Sequence, residues 1–258
     1  MILETHAHYD DDRLNEDRHE ILMGLPEAGI GIVINSGASV ESTRDTVELA
    51  KKYNHVYAAV GVHPSEIAEL DEDFMEWMKQ QASWEKTVAI GEIGLDYYWD
   101  KEPEVQEKQR YWFGRQIELA RETGLPIIVH SRDAAADTMQ VMKEHHAEEI
   151  PGVIHCFSYS KEMAQEFIKM GYYIGVGGVV TFKNAKKLIE TVEAIPLESI
   201  LLETDCPYMA PEPYRGKRNS SYYLTYVVEK IAELKGVSVE EVERVTEANA
   251  RTLFSRVK

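Results

Sequence analysis

Eight short apolar segments alternate with longer segments of helical periodicity along this chain. Each apolar segment is rich in β-branched residues and is bounded by turn residues, as buried parallel strands usually are. This alternation predicts an α/β fold, a TIM (β/α)8 barrel, with a doubly wound open sheet as the alternative. The predicted strands are Met1–Thr5, Gly31–Asn35, Val56–Val60, Thr87–Ile90, Pro126–Val129, Gly152–Ile154, Tyr172–Val176 and Ser199–Leu202.

Helical periodicity fills the intervals between these strands and the end of the chain. The sequence has no internal repeat, low-complexity stretch or linker, so we expect a single domain over residues 1–258. The predicted helices are Asn15–Ala28, Val40–Lys52, Asp73–Gln81, Glu104–Thr123, Asp133–His146, Lys161–Met170, Ala185–Ile195, Ser220–Lys235 and Val239–Arg256.

The bulk properties of the chain indicate a cytoplasmic protein without a membrane partner. Two cysteines, Cys156 and Cys206, are too few for a disulfide framework and suit a reducing compartment. The first residues lack the basic region of a signal peptide, and no apolar stretch approaches the roughly 20 residues of a membrane helix. We take a monomer as the default oligomeric state.

Polar or ionisable residues follow most of the predicted strands. Enzymes with TIM barrels carry their chemistry at the carboxyl ends of the strands, so this placement is a test of the barrel hypothesis. His6 and His8 are two residues apart and therefore point to the same side of one strand end. The other strand ends supply Asn35, Ser36, His63, Glu92, His130, His155, Glu203 and Asp205.

Six of these residues form a set of imidazole and carboxylate groups that metal ions prefer. The set is too large for one tetrahedral ion, and it suits two divalent ions that share a carboxylate, with room for water and substrate. Hydrolysis is the reaction that such a centre favours. For Glu92 and Asp205, the structural alternative is N-capping of the following helix. The predicted ligands are His6, His8, Glu92, His130, His155 and Asp205.

Eight motifs of this chain resemble, in order, the signatures of the TatD family of metal-dependent deoxyribonucleases. Departures from the family pattern are small: Glu4 stands where Asp is usual, Ala7 where Cys is frequent, and Ser220 where an acidic residue or Pro is frequent. The motifs are Thr5–His8, Gly61–Pro64, Gly91–Tyr97, Val129–Ala134, His155–Ser158, Glu203–Tyr208, Arg215–Asn219 and Asn249–Phe254.

The resemblance implies an amidohydrolase-like TIM barrel that cleaves phosphodiester bonds of DNA, typically from the 3′ end of a single strand. It also implies that Glu92 bridges two metal ions, with His130 and His155 completing one site. His6, His8 and Asp205 would complete the other site. The ions are Mg²⁺, Mn²⁺ or Zn²⁺, of which histidine-rich ligation favours the last two.

A hydrolytic mechanism follows as a hypothesis from these assignments. Asp205 accepts a proton from the attacking water, and Glu92 holds the metals. His63 contacts the phosphate or protonates the leaving oxygen. Because the net charge of −17 repels a polyanion, local cations are needed, and the candidates are Arg132, Arg215, Lys217 and Arg218. A solvated surface loop is the alternative for Lys217 and Arg218.

Two other classes of function compete with a nuclease. A metallohydrolase of small-molecule esters, lactones or cyclic amides would use the same barrel and metals. A metal-binding scaffold without catalysis is the third reading, and an intact ligand set argues against it. RNA, including cleavage of an ester on charged RNA, is a second candidate partner beside DNA.

Overall fold

Eight parallel strands wind into a barrel in the computed structural model, which describes residues 1–258. The strands pair in chain order, and each pair is parallel. The predicted TIM barrel is therefore confirmed and the open sheet excluded. The strands are β1 (Ile2–Ala7), β2 (Ile30–Ser36), β3 (Val56–Val60), β4 (Thr87–Asp96), β5 (Ile127–Arg132), β6 (Gly152–Ile154), β7 (Tyr172–Val176) and β8 (Ile200–Leu202).

Nine α-helices pack around the strands, and one follows each of the eight strands. None is long and apolar enough to cross a membrane. They are α1 (Arg18–Gly24), α2 (Val40–Lys52), α3 (Glu72–Ala82), α4 (Pro103–Thr123), α5 (Ala135–Glu144), α6 (Lys161–Lys169), α7 (Lys186–Ala194), α8 (Leu224–Lys235) and α9 (Val239–Leu253). Most agree with the predicted bounds within two residues. The first was predicted too long, and Pro26, which lacks an amide hydrogen, follows its end.

The strands β4 and β5 extend past their predicted ends at Ile90 and Val129, and this matters for the site. Glycines at positions 91 and 94 resemble turn residues in the sequence, yet β4 continues to Asp96 and pairs with β5 as far as Arg132. A Cβ at Gly94 would lie 1.9 Å from the carbonyl oxygen of His130, so only glycine permits this pairing. Glu92 and His130 therefore lie within strands rather than after them.

The barrel closes between β1 and the segment that follows β8. The amide of Asp205 donates to the carbonyl of His6 at 3.0 Å, and the amide of His8 donates to that of Cys206 at 2.8 Å. These bonds fix the chain after β8 against the end of β1. The two histidines and Asp205 are thereby brought to one place by backbone bonding alone.

The end of the chain covers the opposite end of the barrel. Phe254 and Val257 pack with strand residues such as Ile34 and Leu201. The guanidinium of Arg256 donates to the carbonyl of Thr87, where β4 begins. The polar residues thus lie at the open end, where the strands finish.

Substitution of Asn249 tests how α9 is held to the barrel. Its buried amide donates to the carbonyls of Leu197 and Ile200, at 3.0 and 2.9 Å. Asn249→Ala removes both hydrogen bonds and should lower the free energy of unfolding by about 1–3 kcal/mol in urea denaturation. Thr252→Ala is the control, because that exposed hydroxyl bonds only within its own helix. If the two variants had equal free energies of unfolding, the role of Asn249 in holding α9 to the barrel would be contradicted.

Candidate metal centre

Three imidazole rings at the barrel mouth turn their Nε2 atoms toward one point. The Nδ1 of His8 donates to the carbonyl of Ser36 at 2.9 Å, and the Nδ1 of His6 lies 3.3 Å from the Ser36 hydroxyl. The Nδ1 of His155 lies 3.2 Å from the Glu203 carboxylate. Bonds of this kind fix the ring and its tautomer and leave Nε2 free as a metal ligand.

The carboxylate of Glu92 lies between two groups of histidines. Its Oε2 is 3.3 Å from the Nε2 of His6 and 3.5 Å from the Nε2 of His8. Its Oε1 is 2.8 Å from the Nδ1 of His130 and 3.6 Å from the Nε2 of His155. The two oxygens thus face different rings, which is the disposition that a bridging carboxylate requires, and His155 borders both groups because its Nε2 is also 3.8 Å from Asp205 Oδ1.

Asp205 completes the group around His6 and His8. Its Oδ1 lies 3.3 Å from the Nε2 of His8 and 3.8 Å from the Nε2 atoms of His6 and His155. The side chain keeps 19% of its surface exposed, whereas Glu92 is buried. Asp205 is therefore the carboxylate of this centre that faces solvent and an incoming substrate.

These distances fit bound metal. Ligand atoms about 2.05 Å from a tetrahedral Zn²⁺ are about 3.3 Å apart, close to several of the separations above. Three ligand groups lie within 4.8 Å of one another in four combinations, and the six predicted ligands all occur among them. The structure thus brings together the whole predicted set. The number and identity of the ions stay predictions.

The charges of the centre are strongly coupled. Burial raises the pKa of Glu92, but the surrounding histidines outweigh it and hold that pKa well below its ordinary value. Burial opposes protonation of His8, yet Asp205 raises its pKa to about 9; Glu203 and Glu92 raise that of His155 to about 10. Without metal these raised pKa values favour the protonated forms of His8 and His155, so metal binding at these two rings must release protons.

His63 lies beside the centre but in a different electrostatic state. Its Nδ1 accepts the amide hydrogen of Ser65 at 3.2 Å, so the ring proton is on Nε2, 3.8 Å from Glu92 Oε1. Burial and the neighbouring His130 lower the pKa of His63 to about 3. A neutral ring favours the predicted phosphate contact, through an Nε2–H donor, over protonation of the leaving oxygen by an imidazolium.

Asp96 is a site residue that the sequence analysis missed. Its Oδ2 lies 3.0 Å from the Nε2 of His130, whose other nitrogen faces Glu92. The signal was present, because Glu92 and Asp96 are four residues apart and share one face of a strand. It was overlooked because the strand was predicted to end at Ile90.

Cys156 lies beside the centre, directly after the predicted ligand His155 in the chain. The strand β6 ends at Ile154 and the chain turns at Cys156, whose φ is +45°. The Sγ therefore lies within 4.8 Å of ligand atoms of His155 and Asp205. Burial and the nearby carboxylates raise the pKa of Cys156 well above its ordinary value, so it stays a neutral thiol.

The predicted substrate-binding cations differ in how they are engaged. Arg218 forms an ion pair with Asp17, so its charge is already neutralised. Arg132, Arg215 and Lys217 form no ion pair and lie against aromatic rings. Arg132 is 3.9 Å from the ring centre of Tyr98, Arg215 is 4.2 Å from that of Phe182, and Lys217 is 5.6 Å from that of Tyr214.

Comparison with known proteins agrees with the site. The sequence model of one family, described as TatD related DNase, matches residues 3–255. The protein belongs to the TatD family. The metal-dependent hydrolase YabD of Bacillus subtilis is 42% identical over 98% of this chain and 99% of YabD. YcfH of Escherichia coli, also named a metal-dependent hydrolase, is 35% identical over 98% of this chain and 96% of YcfH.

The TatD-family fold extends over the whole chain. The crystal structure of the TatD homologue YjjV from Escherichia coli superimposes with a TM-score of 0.92 at 32% identity and covers 98% of both chains. Family membership and the gathered imidazole and carboxylate groups make this protein a metal-dependent hydrolase.

Glu203 should control the metal affinity through His155. In Glu203→Gln, an amide group facing Nδ1 favours the tautomer with hydrogen on Nε2, which cannot bind metal. We expect metal affinity to fall by about 10–100-fold in a competition titration with a chromophoric chelator. Glu229→Gln, at an exposed position on α8, is the control and should bind as the wild type does. An unchanged affinity of Glu203→Gln would contradict this role.

Glu4 carries a buried carboxylate beneath the centre. It accepts hydrogen bonds from the amide and hydroxyl of Thr204 and from the hydroxyl of Ser221. Burial nevertheless raises the pKa of Glu4 from 4.5 to about 7. Between these values the folded protein retains a proton that the unfolded chain has released.

The stability contribution of Glu4 should therefore depend on pH. It is fully present below pH 4.5, declines as the pH rises and levels off above about 7. Urea denaturation of chelator-treated protein measures it. Relative to Glu4→Gln, the wild type should lose roughly 3 kcal/mol over this interval. If the free energy of unfolding changed with pH by the same amount in both proteins, the raised pKa of Glu4 would be contradicted.

Proposed function

We propose that this protein is a metal-dependent nuclease that hydrolyses phosphodiester bonds of DNA, from the 3′ ends of single strands. The observation that carries the proposal is the central position of Glu92, with one oxygen toward each group of histidines. Two-metal centres of this kind serve in-line displacement at phosphorus. The family description as TatD related DNase supports DNA as the substrate, and the polarity follows from the family resemblance.

The free cations at the barrel mouth favour an anionic substrate over a neutral ester or amide. The chain as a whole carries a charge of −17, which repels a polyanion. Arg132 lies two residues beyond His130 on β5, and it forms no salt bridge within the protein. A cation left unneutralised beside a metal centre suits a phosphate that flanks the scissile bond.

Each residue of the centre has a separate role in the proposed hydrolysis. Bound divalent ions supply Lewis acidity: they lower the pKa of water and neutralise charge on the phosphate. The partly exposed carboxylate of Asp205 accepts the proton of the attacking water. His63 donates its Nε2 hydrogen to a phosphate oxygen. Asp96 fixes the orientation of His130, so that the Nδ1 of that ring stays directed at Glu92.

Cleavage of end-labelled single-stranded DNA tests this function. Protein stripped with a chelator should be inactive, and restored Mg²⁺, Mn²⁺ or Zn²⁺ should bring back shortening from the 3′ end. Glu92→Ala should lose at least roughly 100-fold in rate, as when a group that stabilises transition-state charge is removed. Circular dichroism shows whether that variant is folded, and Glu229→Ala on α8 is the matched control.

Two results would redirect the proposal. If the metal-loaded protein leaves DNA intact but hydrolyses small esters or lactones, the competing metallohydrolase reading replaces the nuclease. If it cleaves RNA or an ester on charged RNA and not DNA, the metal-dependent hydrolysis is retained and DNA is rejected as the substrate. Full activity of Glu92→Ala would show that the metal centre does not take part in the reaction.

A further inference from the structure

Two exposed aromatic side chains lie at the barrel mouth, directly after β4. Trp99 keeps 67% of its surface exposed and Tyr98 keeps 43%, and Trp99 is the most exposed large apolar side chain in the protein. The guanidinium of Arg132 lies 3.9 Å from the ring centre of Tyr98 and 5.6 Å from that of Trp99. We call these three side chains the aromatic platform.

The aromatic platform is attached to the metal centre through one carboxylate. The Oδ1 of Asp96 accepts the amide hydrogens of Tyr98 and Trp99, both at 3.0 Å. Its Oδ2 lies 3.0 Å from the Nε2 of His130. A single side chain therefore fixes the backbone of the platform and the orientation of a predicted metal ligand.

The platform and the centre also share a face of the barrel. Arg132 and His130 are two residues apart on β5, so they point the same way and lie about 6.6 Å apart along the strand. Ser131, between them, points to the outside, where its hydroxyl contacts Thr138 and Tyr159. The platform and the metal centre therefore lie at neighbouring positions of the same end of the barrel.

The chemistry of the platform fits an unpaired nucleobase. Every base offers a flat face that stacks on Trp or Tyr without regard to sequence. An arginine that lies on an aromatic ring keeps its outer N–H groups free for phosphate, and Arg132 forms no ion pair. A base in a duplex is already stacked and paired, so this surface discriminates against double-stranded ends.

We propose that Tyr98, Trp99 and Arg132 bind the unpaired base next to the scissile bond and so make the enzyme selective for single-stranded nucleic acid ends. The proposal rests on the nuclease function proposed above. It adds a determinant of substrate choice, which metal ligands do not supply because a metal centre acts on the phosphate and not on the base.

Steady-state hydrolysis by the metal-loaded enzyme tests the platform. Two oligothymidylate strands are compared, one intact and one with abasic residues at its 3′ end. The wild type should prefer the intact strand by about 10-fold in kcat/KM, within the range expected for stacking of a base. In Trp99→Ala this preference should fall toward one, mainly through KM, and Trp99→Phe should restore most of it.

Tyr111→Ala is the matched control, because Tyr111 is similarly exposed but lies on α4, outside the platform. It should keep the preference of the wild type. An equal preference for the intact strand in Trp99→Ala and wild type would overturn the platform.

A binding measurement separates failure of the platform from failure of the nuclease function. Fluorescence anisotropy of labelled oligothymidylate is measured with chelator present, so that no cleavage occurs. Weaker binding by Trp99→Ala than by wild type, with no cleavage under any metal, would retain the platform and reject the nuclease. Cleavage by both proteins with equal binding and equal base preference would retain the nuclease and reject the platform.

Discussion

A carboxylate buried in the mouth of the barrel is the constraint on which the rest of this structure depends. Removing a charged group from water is costly unless other groups compensate it. Glu92 is 3% exposed, and its two oxygens lie within 3.8 Å of nitrogens of five imidazole rings. The rings come from four different strand regions, so the barrel must close correctly before this charge is compensated. Metal ions between the same groups would provide that compensation more fully.

A second layer of residues holds the ligands in place. Each of them contacts the ring nitrogen that points away from Glu92. Ser36 contacts that of His8, Glu203 that of His155, and Asp96 that of His130. The space for Glu203 exists because residue 175 on β7 is glycine, where a Cβ would lie 2.4 Å from the Glu203 Oε2. The geometry of the metal centre thus depends on contacts between residues of different strands at the same end of the barrel.

The cations near the mouth show how an acidic protein can accept an anion. Arg218 pairs with Asp17, and Arg13 pairs with Asp11, so these two charges are balanced within the protein. Arg132 on β5 lies against an aromatic ring without a carboxylate partner, and Arg215 and Lys217 after β8 also form no ion pair. Of these three, Arg132 is two residues from the predicted ligand His130. The three unpaired cations would be available to the phosphates of the proposed substrate.

The sequence by itself determined the strand–helix order, and hence the barrel, because buried parallel strands and amphipathic helices have distinct periodicities. It also predicted six groups as metal ligands, since the strand ends of a barrel converge. Contacts between distant segments were decided only by the tertiary structure. Asp96 joined the site because β4 continues past two glycines, and Cys156 turned inward because the chain has a φ of +45° at this residue, just after β6. Pairing of Arg218 with Asp17 depends on packing of residues 201 positions apart, which local patterns do not encode.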